Sequence, residues 1–383
     1  MRYYDYAATT PTLPQVLEAM RPFQEGAFGN PSSVYGIGRD AKKGLEEARE
    51  KVADAIGALP SEIIFTGGGT EADNMALKGA AFAAAPGSRI ITCTTEHHAV
   101  LHAAGWLSRM GYDVVFLPVD SEGIVELSAL SDALTPNTAI VSVMLANNEV
   151  GTIQPLKELV DVVRAKSKAL IHTDAVQALG KIPVDVGEQD VDLASFSAHK
   201  VGGPKGVGSL FIRRKTKIEP LIHGGGQERD IRSGTPNVSG IAGWGEAAKI
   251  AAEEVDEESK RLSDMRDRLQ DRLTDALPGI RLNGSKAPRV PGTLNVCIPG
   301  VEGESLLLML DSEGIAASSG SACTSGSLEP SHVLAAMGVD KKTALGSLRI
   351  SLGRGSTEED IDHLLDVLPG IVGKLRPLSA MRS

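Results

Sequence analysis

Short apolar runs rich in β-branched residues recur along the first part of the chain and alternate with longer segments of helical periodicity. The seven runs are residues 62–66, 89–94, 113–119, 138–145, 169–173, 192–197 and 207–213. Several are apolar almost throughout, which is typical of strands buried on both faces. The alternation predicts a mostly parallel sheet covered by helices on both sides. Ligands of such sheets bind beyond the carboxyl ends of the strands, so polar residues directly after these runs are site candidates.

Between the runs lie three helical candidates, residues 70–84, 98–110 and 156–167. The alternation of strand and helix patterns ends near Gly245. From there, residues 246–277 predict one long, highly charged amphipathic helix that bridges two domains. The segments that follow predict a smaller α/β unit. Its strand candidates are residues 279–283, 293–298 and 347–352, and its helix candidates are residues 305–311, 331–337 and 358–375.

Composition excludes several classes of protein. The 383 residues carry a formal net charge of −10, which argues against nonspecific nucleic-acid binding. The three cysteines, Cys93, Cys297 and Cys323, are odd in number and widely spaced, so they suit neither a disulfide framework nor metal-ligand pairs. We expect a reducing, cytoplasmic setting. The N-terminal residues have no basic region followed by an apolar run, so we expect no signal peptide, and no run reaches the ~20 apolar residues that span a membrane.

A lysine and an aspartate follow two successive strand runs. Lys200 ends the motif SFSAHK, and its amine could form a Schiff base with an aldehyde, although lysines that merely solvate a loop are commoner. Asp174 in HTDAVQ could keep a pyridine nitrogen protonated, or could simply cap a helix. One helix-plus-strand unit separates the two residues, so both side chains could meet at the same edge of the sheet.

A histidine and a glycine-rich turn follow two further runs. His97 in TEHHAV could stack on a cofactor ring and move protons near neutral pH. His98 and His102 have a spacing that can bind metal, but we expect no metal site here. The motif FTGGGTEADN, with Thr70 after three glycines, predicts a phosphate cradle at a helix N-terminus, with a plain turn as the alternative. It lacks the P-loop lysine, and no GxGxxG pattern follows a strand, which favours a phosphate-bearing cofactor over ATP or NAD.

The segment SSGSACTSGSLEPS, residues 318–331, surrounds Cys323 with serine and glycine, which bury little apolar surface. Cys93 and Cys297 instead lie in apolar strand runs, as structural cysteines do. Free cysteines are more often inert than reactive, but this contrast makes Cys323 the candidate nucleophile.

In order and spacing these motifs resemble fold-type I pyridoxal-phosphate enzymes of aminotransferase class V, and more narrowly cysteine desulfurases of the nitrogen-fixation and iron–sulfur type. The resemblance runs from DYAATTP (5–11) to SLGR (351–354). It implies an α/β fold: a large domain (15–250) with a mostly parallel seven-stranded sheet, and a small domain (1–14 and 251–383) that carries the cysteine loop.

The resemblance also implies an activity and its partners. The cofactor is pyridoxal 5′-phosphate, and the substrate is L-cysteine, whose sulfur becomes a persulfide on Cys323 while L-alanine is released. An acceptor protein then takes the sulfur for iron–sulfur cluster assembly or another sulfur-transfer pathway. The enzyme is expected to be a homodimer.

Individual roles follow from the same resemblance. Lys200 is the Schiff-base lysine and moves the Cα proton, Asp174 pairs with the pyridinium, and His97 stacks on the ring and can donate a proton. The other cofactor ligands are Gly69, Thr70, Ser197 and His199 at the phosphate, Gln177 at the phenolic oxygen, Asn148, and Thr235 reaching the phosphate from the partner subunit. Asn148 also contacts the substrate, and Arg349 or, second, Arg354 grips the substrate carboxylate as a bidentate fork.

Other functions stay open at this stage. An aminotransferase, a selenocysteine lyase or a kynureninase-like hydrolase of the same class would share Lys200 and Asp174, but an aminotransferase would not need the loop cysteine. A non-enzymatic scaffold would be expected to have lost the lysine, the aspartate or the cysteine. The chain ends at KLRPLSAMRS, without the longer tail that docks scaffolds in some family members, so the acceptor is left open.

Overall fold

The computed structural model describes residues 1–320 and 329–380, and its centre is a seven-stranded sheet in the order β2-β8-β7-β6-β5-β3-β4. The strands are β2 (Ile63–Thr66), β3 (Arg89–Cys93), β4 (Asp113–Leu117), β5 (Thr138–Ser142), β6 (Leu170–Asp174), β7 (Leu193–Ser197) and β8 (Gly208–Ile212). β8 runs antiparallel to both of its neighbours, and the other four pairings are parallel. Each predicted run supplies one strand, so the mostly parallel seven-stranded sheet is confirmed.

Helices cover both faces of this sheet. They are α1 (Pro14–Met20), α2 (Pro22–Glu25), α3 (Gly36–Asp54), α4 (Gly69–Ala83), α5 (His98–Arg109), α6 (Leu127–Ala133), α7 (Leu156–Lys166) and α8 (Val238–Glu253). Successive strand residues point to opposite faces. Ile90 therefore belongs to the apolar cluster of α4 and α5, whereas Ile91 belongs to the cluster that includes residues of α3, α7 and α8. Burial on both faces explains why the strand runs are almost wholly apolar.

A second, smaller unit follows the sheet. Its elements are α9 (Val255–Ala276), β9 (Arg281–Asn283), β10 (Thr293–Cys297), α10 (Gly303–Ser312), β11 (Ile315–Ala316), α11 (His332–Ala336), α12 (Lys341–Ala344), β12 (Ser347–Ser351) and α13 (Glu358–Ala380). β12, β10 and β9 form an antiparallel sheet in that order. A short strand at the N-terminus, β1 (Arg2–Tyr3), pairs in parallel with β11. Tyr4 joins the apolar core of this unit, so the first residues of the chain pack with the last.

The single long helix predicted over residues 246–277 is wrong, because the chain forms two helices that break at Glu254 (φ −105°, ψ 1°). The end of α8 packs into the core beneath the large sheet through Ala247 and Ala248. α9 packs instead into the core of the smaller unit, for example through Leu269. One straight helix could not bury both apolar faces, so the backbone turns between them.

The division into domains near residue 250 stays a prediction. The core beneath the large sheet also includes Val290 and Leu334 from the C-terminal part, so the two units share a packed boundary. Within residues 1–320 and 329–380 there is no helix both long and apolar enough to cross a lipid bilayer.

Candidate active site

A cavity of about 1070 Å³ opens at the carboxyl ends of the parallel strands. Asp174 ends β6, Ser197 ends β7, and Lys200 lies in the turn that follows β7. The predicted residues that line the cavity are Gly69, Thr70, His97, Asn148, Asp174, Gln177, Ser197, His199, Lys200 and Arg349. Residues from distant parts of the sequence therefore converge where the parallel-sheet rule places a ligand.

The Lys200 amine is held at the edge of the cavity by the N-terminal segment. Its Nζ donates to the backbone oxygens of Ala7, at 2.8 Å, and Ala8, at 2.7 Å. Desolvation, together with the charge of Arg349, lowers the pKa of Lys200 to about 8. A sizeable fraction of the amine is therefore unprotonated near neutral pH, and only the unprotonated amine is nucleophilic.

Asp174 lines the cavity, and its side chain is buried. Its Oδ1 accepts a hydrogen bond from the backbone N–H of Val176 at 2.9 Å. Desolvation raises the pKa of Asp174 to about 6, while the charge of Lys200 opposes this rise. A buried carboxylate of this kind gains from a cation placed beside it, which is what a protonated pyridine nitrogen would supply.

Two further buried carboxyl groups, Asp73 and Glu96, lie close to Asp174 and were missed at the level of sequence. Glu96 Oε1 accepts from the backbone N–H of Met144 at 2.7 Å, and burial raises the pKa of Glu96 to about 8. Burial and then the charge of Asp174 raise the pKa of Asp73 well above its ordinary value. Glu96 is therefore mostly protonated at neutral pH, and burial disfavours the charged form of Asp73 as well, whereas Asp174 with its pKa of about 6 is mostly ionised. For Glu96 the available signal was its position in TEHH, shortly after β3, whereas Asp73 lies within the first turns of α4 and is an acidic residue on a buried helix face.

The glycine turn before α4 forms an anion cradle. No side chain caps this helix, so the free backbone amides of its first turn remain available to a ligand. Gly68 has φ 146°, a conformation that favours glycine. A Cβ on Gly69 would come within 2.8 Å of a methyl group of Val176, so a side chain here would crowd the cradle. A phosphate group fits this arrangement of amide donors and positive helix end.

Side chains complete the cradle. The hydroxyls of Thr70 and Ser197 line the same wall of the cavity. His199 pairs through Nδ1 with Thr9 Oγ1 at 3.0 Å, and its Nε2 is left for another partner. Burial and the nearby Lys200 lower the pKa of His199 to about 4, so the ring is neutral.

His97 caps the N-terminus of α5, and its Nδ1 accepts from the backbone N–H of Ala99 at 3.1 Å. That bond places the ring proton of the neutral imidazole on Nε2. Desolvation and the charge of Lys200 lower the pKa of His97 to about 4, so a neutral ring faces the cavity. Across the described part of the chain, no group of three or more histidine, cysteine, aspartate or glutamate side chains could hold a metal ion.

Arg349 on β12 presents part of its guanidinium to the cavity. Its Nη1 donates to the backbone oxygen of Asn148 at 2.8 Å, and its Nη2 donates to Asp5 Oδ1 at 2.6 Å. Its buried Nε has no hydrogen-bond partner among the residues that the structure describes. Each Nη carries two N–H groups and donates one hydrogen bond to a described residue, so Arg349 can still donate to an incoming carboxylate.

Arg354 lies elsewhere, contrary to its prediction as an alternative carboxylate ligand. It pairs with Glu254 and lines a second cavity of about 270 Å³ behind Lys200. The loop after β12 carries the side chain away from the first cavity toward the break between α8 and α9. The geometry therefore favours Arg349 as the carboxylate ligand.

A further predicted residue, Thr235, does not line the main cavity of this chain. Thr235 is exposed and follows a segment in which Glu228, Arg229 and Asp230 all have positive φ. Cys323 lies outside the described residues. Residues on either side of that gap, Gly320 and His332, both line the cavity.

Known proteins resemble this chain along nearly its whole length. A family model for aminotransferase class-V matches residues 2–364. A protein of Dictyoglomus turgidum named cysteine desulfurase IscS is 51% identical over 378 residues, which cover 98% of this chain and 96% of that protein. A solved structure described as a NifS-like protein is 44% identical with a TM-score of 0.91, covering 98% of this chain and 100% of that one. Another, SspA in complex with cysteine, is 35% identical with a TM-score of 0.80, covering 92% and 99%.

Proposed function

The chain belongs to the aminotransferase class-V family and is a cysteine desulfurase, and we propose that it uses pyridoxal 5′-phosphate to move the sulfur of L-cysteine onto its own Cys323, releasing L-alanine. The observation that carries this proposal is the convergence of a lysine amine, a buried aspartate and an anion cradle in one cavity. Each feature suits a different part of the same cofactor.

The residues present fit that cofactor. When bound, pyridoxal phosphate supplies an aldehyde that bonds to an amine and a protonated ring that withdraws electrons from the substrate carbon. The amides of Gly69 and Thr70, with Ser197 and His199, would hold the phosphate. Asp174 would pair with the ring nitrogen, and the neutral His97 would stack on the ring face.

Different side chains of the protein would carry out the separate proton transfers. With its pKa near 8, the Lys200 amine can accept the Cα proton of the substrate and later return it. With its pKa of about 6, Asp174 is mostly ionised at neutral pH, and burial favours the protonated forms of Asp73 and Glu96 beside it. His97, which carries its proton on Nε2, can donate on the cavity side.

Sulfur transfer is assigned to Cys323. Its thiolate bonds to the substrate sulfur, and the carbon–sulfur bond breaks with its electron pair left on carbon. A proton at that carbon completes alanine, and the sulfur remains as a persulfide. The outer sulfur of a persulfide passes to another thiolate, so a sulfur-acceptor protein is the proposed partner. The positions of Gly320 and His332 on the cavity wall support this assignment.

Arg349 is proposed to bind the substrate carboxylate. Replacing it with lysine keeps the charge but removes the planar fork, so we expect the KM for L-cysteine to rise about 10- to 100-fold, the size of one lost charge-assisted hydrogen bond. Steady-state kinetics with L-cysteine measures this change. Arg354→Lys is the matched control and should leave KM within about twofold. An equal rise in KM for the two variants would contradict the assignment of Arg349 as the carboxylate ligand.

A homodimer is proposed from the exposed apolar side chains between α2 and α3. Phe28 is 69% exposed and Val34 is 87% exposed, and Tyr35 follows directly. Three large apolar side chains so close in sequence indicate a surface that a partner covers. The exposed Thr235 could then reach the partner's phosphate. Sedimentation velocity at micromolar concentration should give twice the chain mass of 40.1 kDa, and a monomeric mass would contradict the proposal.

The function is tested by the products from L-cysteine. The protein loaded with pyridoxal phosphate should release L-alanine and, with a thiol present, sulfide in equal amounts. Pyruvate and ammonia in place of alanine would indicate elimination. Transfer of the amino group to a 2-oxo acid would indicate an aminotransferase. A comparison of kcat/KM for L-cysteine and L-selenocysteine separates the desulfurase from a selenocysteine lyase.

A further inference from the structure

A lysine that the mechanism does not use, Lys181, lies behind the wall of the main cavity. It follows Gly180, whose φ of 71° reverses the chain after β6. The Lys181 amine donates a hydrogen bond to Gln177 Oε1. Among the described residues it forms no ion pair with an aspartate or glutamate. Lys181 is partly buried, and an amine that loses solvation without gaining a counter-ion is costly, so its position calls for a role.

The contact fixes the orientation of the Gln177 amide. A lysine amine donates hydrogen bonds and Gln177 can accept one only through its carbonyl oxygen, so that oxygen must face Lys181. The amide nitrogen then points the other way, and its Nε2 donates to the backbone oxygen of Ala7 at 2.8 Å. The Lys200 amine donates to the same oxygen, also at 2.8 Å. The N–H groups of Gln177 therefore lie on the side of Lys200 and the cavity.

We propose that Lys181 is a positioning residue that holds the Gln177 amide with its N–H groups toward the cavity, so that Gln177 can only donate to the phenolic oxygen of the cofactor. This inference rests on the proposed function. The flipped amide would bring its carbonyl oxygen to that phenolic oxygen, and two acceptors would repel. A donor stabilises the anionic form of the oxygen, which makes the proton shared with the Lys200 nitrogen easier to lose.

Both forms of the Lys181 amine can donate to Gln177 Oε1, and the backbone oxygen of Ala7, which can only accept, keeps the amide from flipping when the Lys181 amine is neutral. Desolvation, with Lys200 and Arg349 nearby, lowers the pKa of Lys181 to about 7, and the neutral amine still has hydrogens to donate. The titratable and charged groups that face Lys200 or Lys181 are Asp5, Asp174, His97, His199, Glu254, Glu258, Arg349 and Arg354. All of them are unchanged in a variant of Lys181.

The test is a pH titration of the visible absorbance of the protein loaded with pyridoxal phosphate. Lys181→Met keeps an unbranched apolar side chain and removes the donor. We expect the midpoint to rise by about 0.5 to 1 pH unit, the shift that one ordinary hydrogen bond produces. In the Gln177→Ala background the same substitution should produce no further shift, because Lys181 acts through Gln177. Lys181→Arg should restore the wild-type midpoint, since the adjacent cavity of about 270 Å³ has room for the guanidinium.

Two results would overturn the inference: an unchanged midpoint in Lys181→Met, or a shift that persists in full without Gln177, which would mean that Lys181 acts by charge alone. Circular dichroism and thermal melting of the unloaded variants report whether they fold. Should Lys181→Met fail to fold, Lys181→Leu, which also lacks a donor, replaces it in the same cycle. Wild-type protein that shows no visible band with pyridoxal phosphate would contradict the proposed function instead.

Discussion

Lys200→Ala is expected to abolish production of sulfide and alanine from L-cysteine and to remove the visible absorbance of the loaded protein. The substitution takes away both the amine that bonds to the cofactor aldehyde and the base that accepts the Cα proton. Loss of a positioned base alone lowers kcat by about 10²- to 10⁴-fold, so we expect the lower end of that range as a minimum. Absorbance spectra and product assays on the same preparation measure the two effects.

The control for this variant is Lys168→Ala, which changes an exposed lysine two residues before the strand that ends in Asp174. It should keep both the absorbance and the activity. Thermal melting of the unloaded Lys200→Ala protein should stay close to that of the wild type, because the amine's partners are two backbone oxygens next to an open cavity. A Lys200→Ala protein with an unchanged spectrum would contradict the assignment of the amine.

Cys323→Ala is expected to lower sulfide release from L-cysteine by more than about 10²-fold while leaving the visible absorbance intact. The variant keeps every proposed cofactor ligand, so it should bind pyridoxal phosphate and L-cysteine normally. It lacks the thiolate that bonds to the substrate sulfur, and no other cysteine is among the described residues that line the cavity. Spectral titration with L-cysteine and a sulfide assay separate binding from transfer.

The matched control replaces a buried cysteine. Cys297 lies in β10, is fully buried, and accepts a hydrogen bond from Asn283, so Cys297→Ser should retain sulfur transfer. Mass spectrometry without reductant should find the additional sulfur atom on the peptide that contains Cys323. Full sulfide release from Cys323→Ala, or the additional sulfur on Cys297, would refute the proposed route.

The predictions that succeeded came from local patterns. The seven strands could be found because burial on both faces requires nearly continuous apolar runs. Such runs consist of consecutive residues and are visible in the sequence. The convergence of Lys200, Asp174 and the glycine turn could be foreseen for a related reason. Each directly follows or ends a strand, and the carboxyl ends of parallel strands share one edge of the sheet.

The sequence could not reveal features that depend on contacts between distant residues. Nothing within residues 246–277 shows that Ala248 and Leu269 belong to different cores, so the break at Glu254 was missed. The pairing of β1 with β11 joins opposite ends of the chain. The motif LRISLGR does not distinguish the roles of Arg349 and Arg354. Only the structure shows that Arg349 lines the main cavity and that Arg354 pairs with Glu254.

By itself, then, the sequence determined the class of fold, the strands of the sheet and the residues that end them, because short-range burial patterns and turn residues specify these directly. Only the tertiary structure decided the electrostatics of the site. Burial raises the pKa values of Asp73 and Glu96 beside Asp174, and Lys181 donates to the Gln177 amide, because separate segments exclude water from one another there. Desolvation of a group depends on everything packed around it, and no local stretch of sequence contains that information.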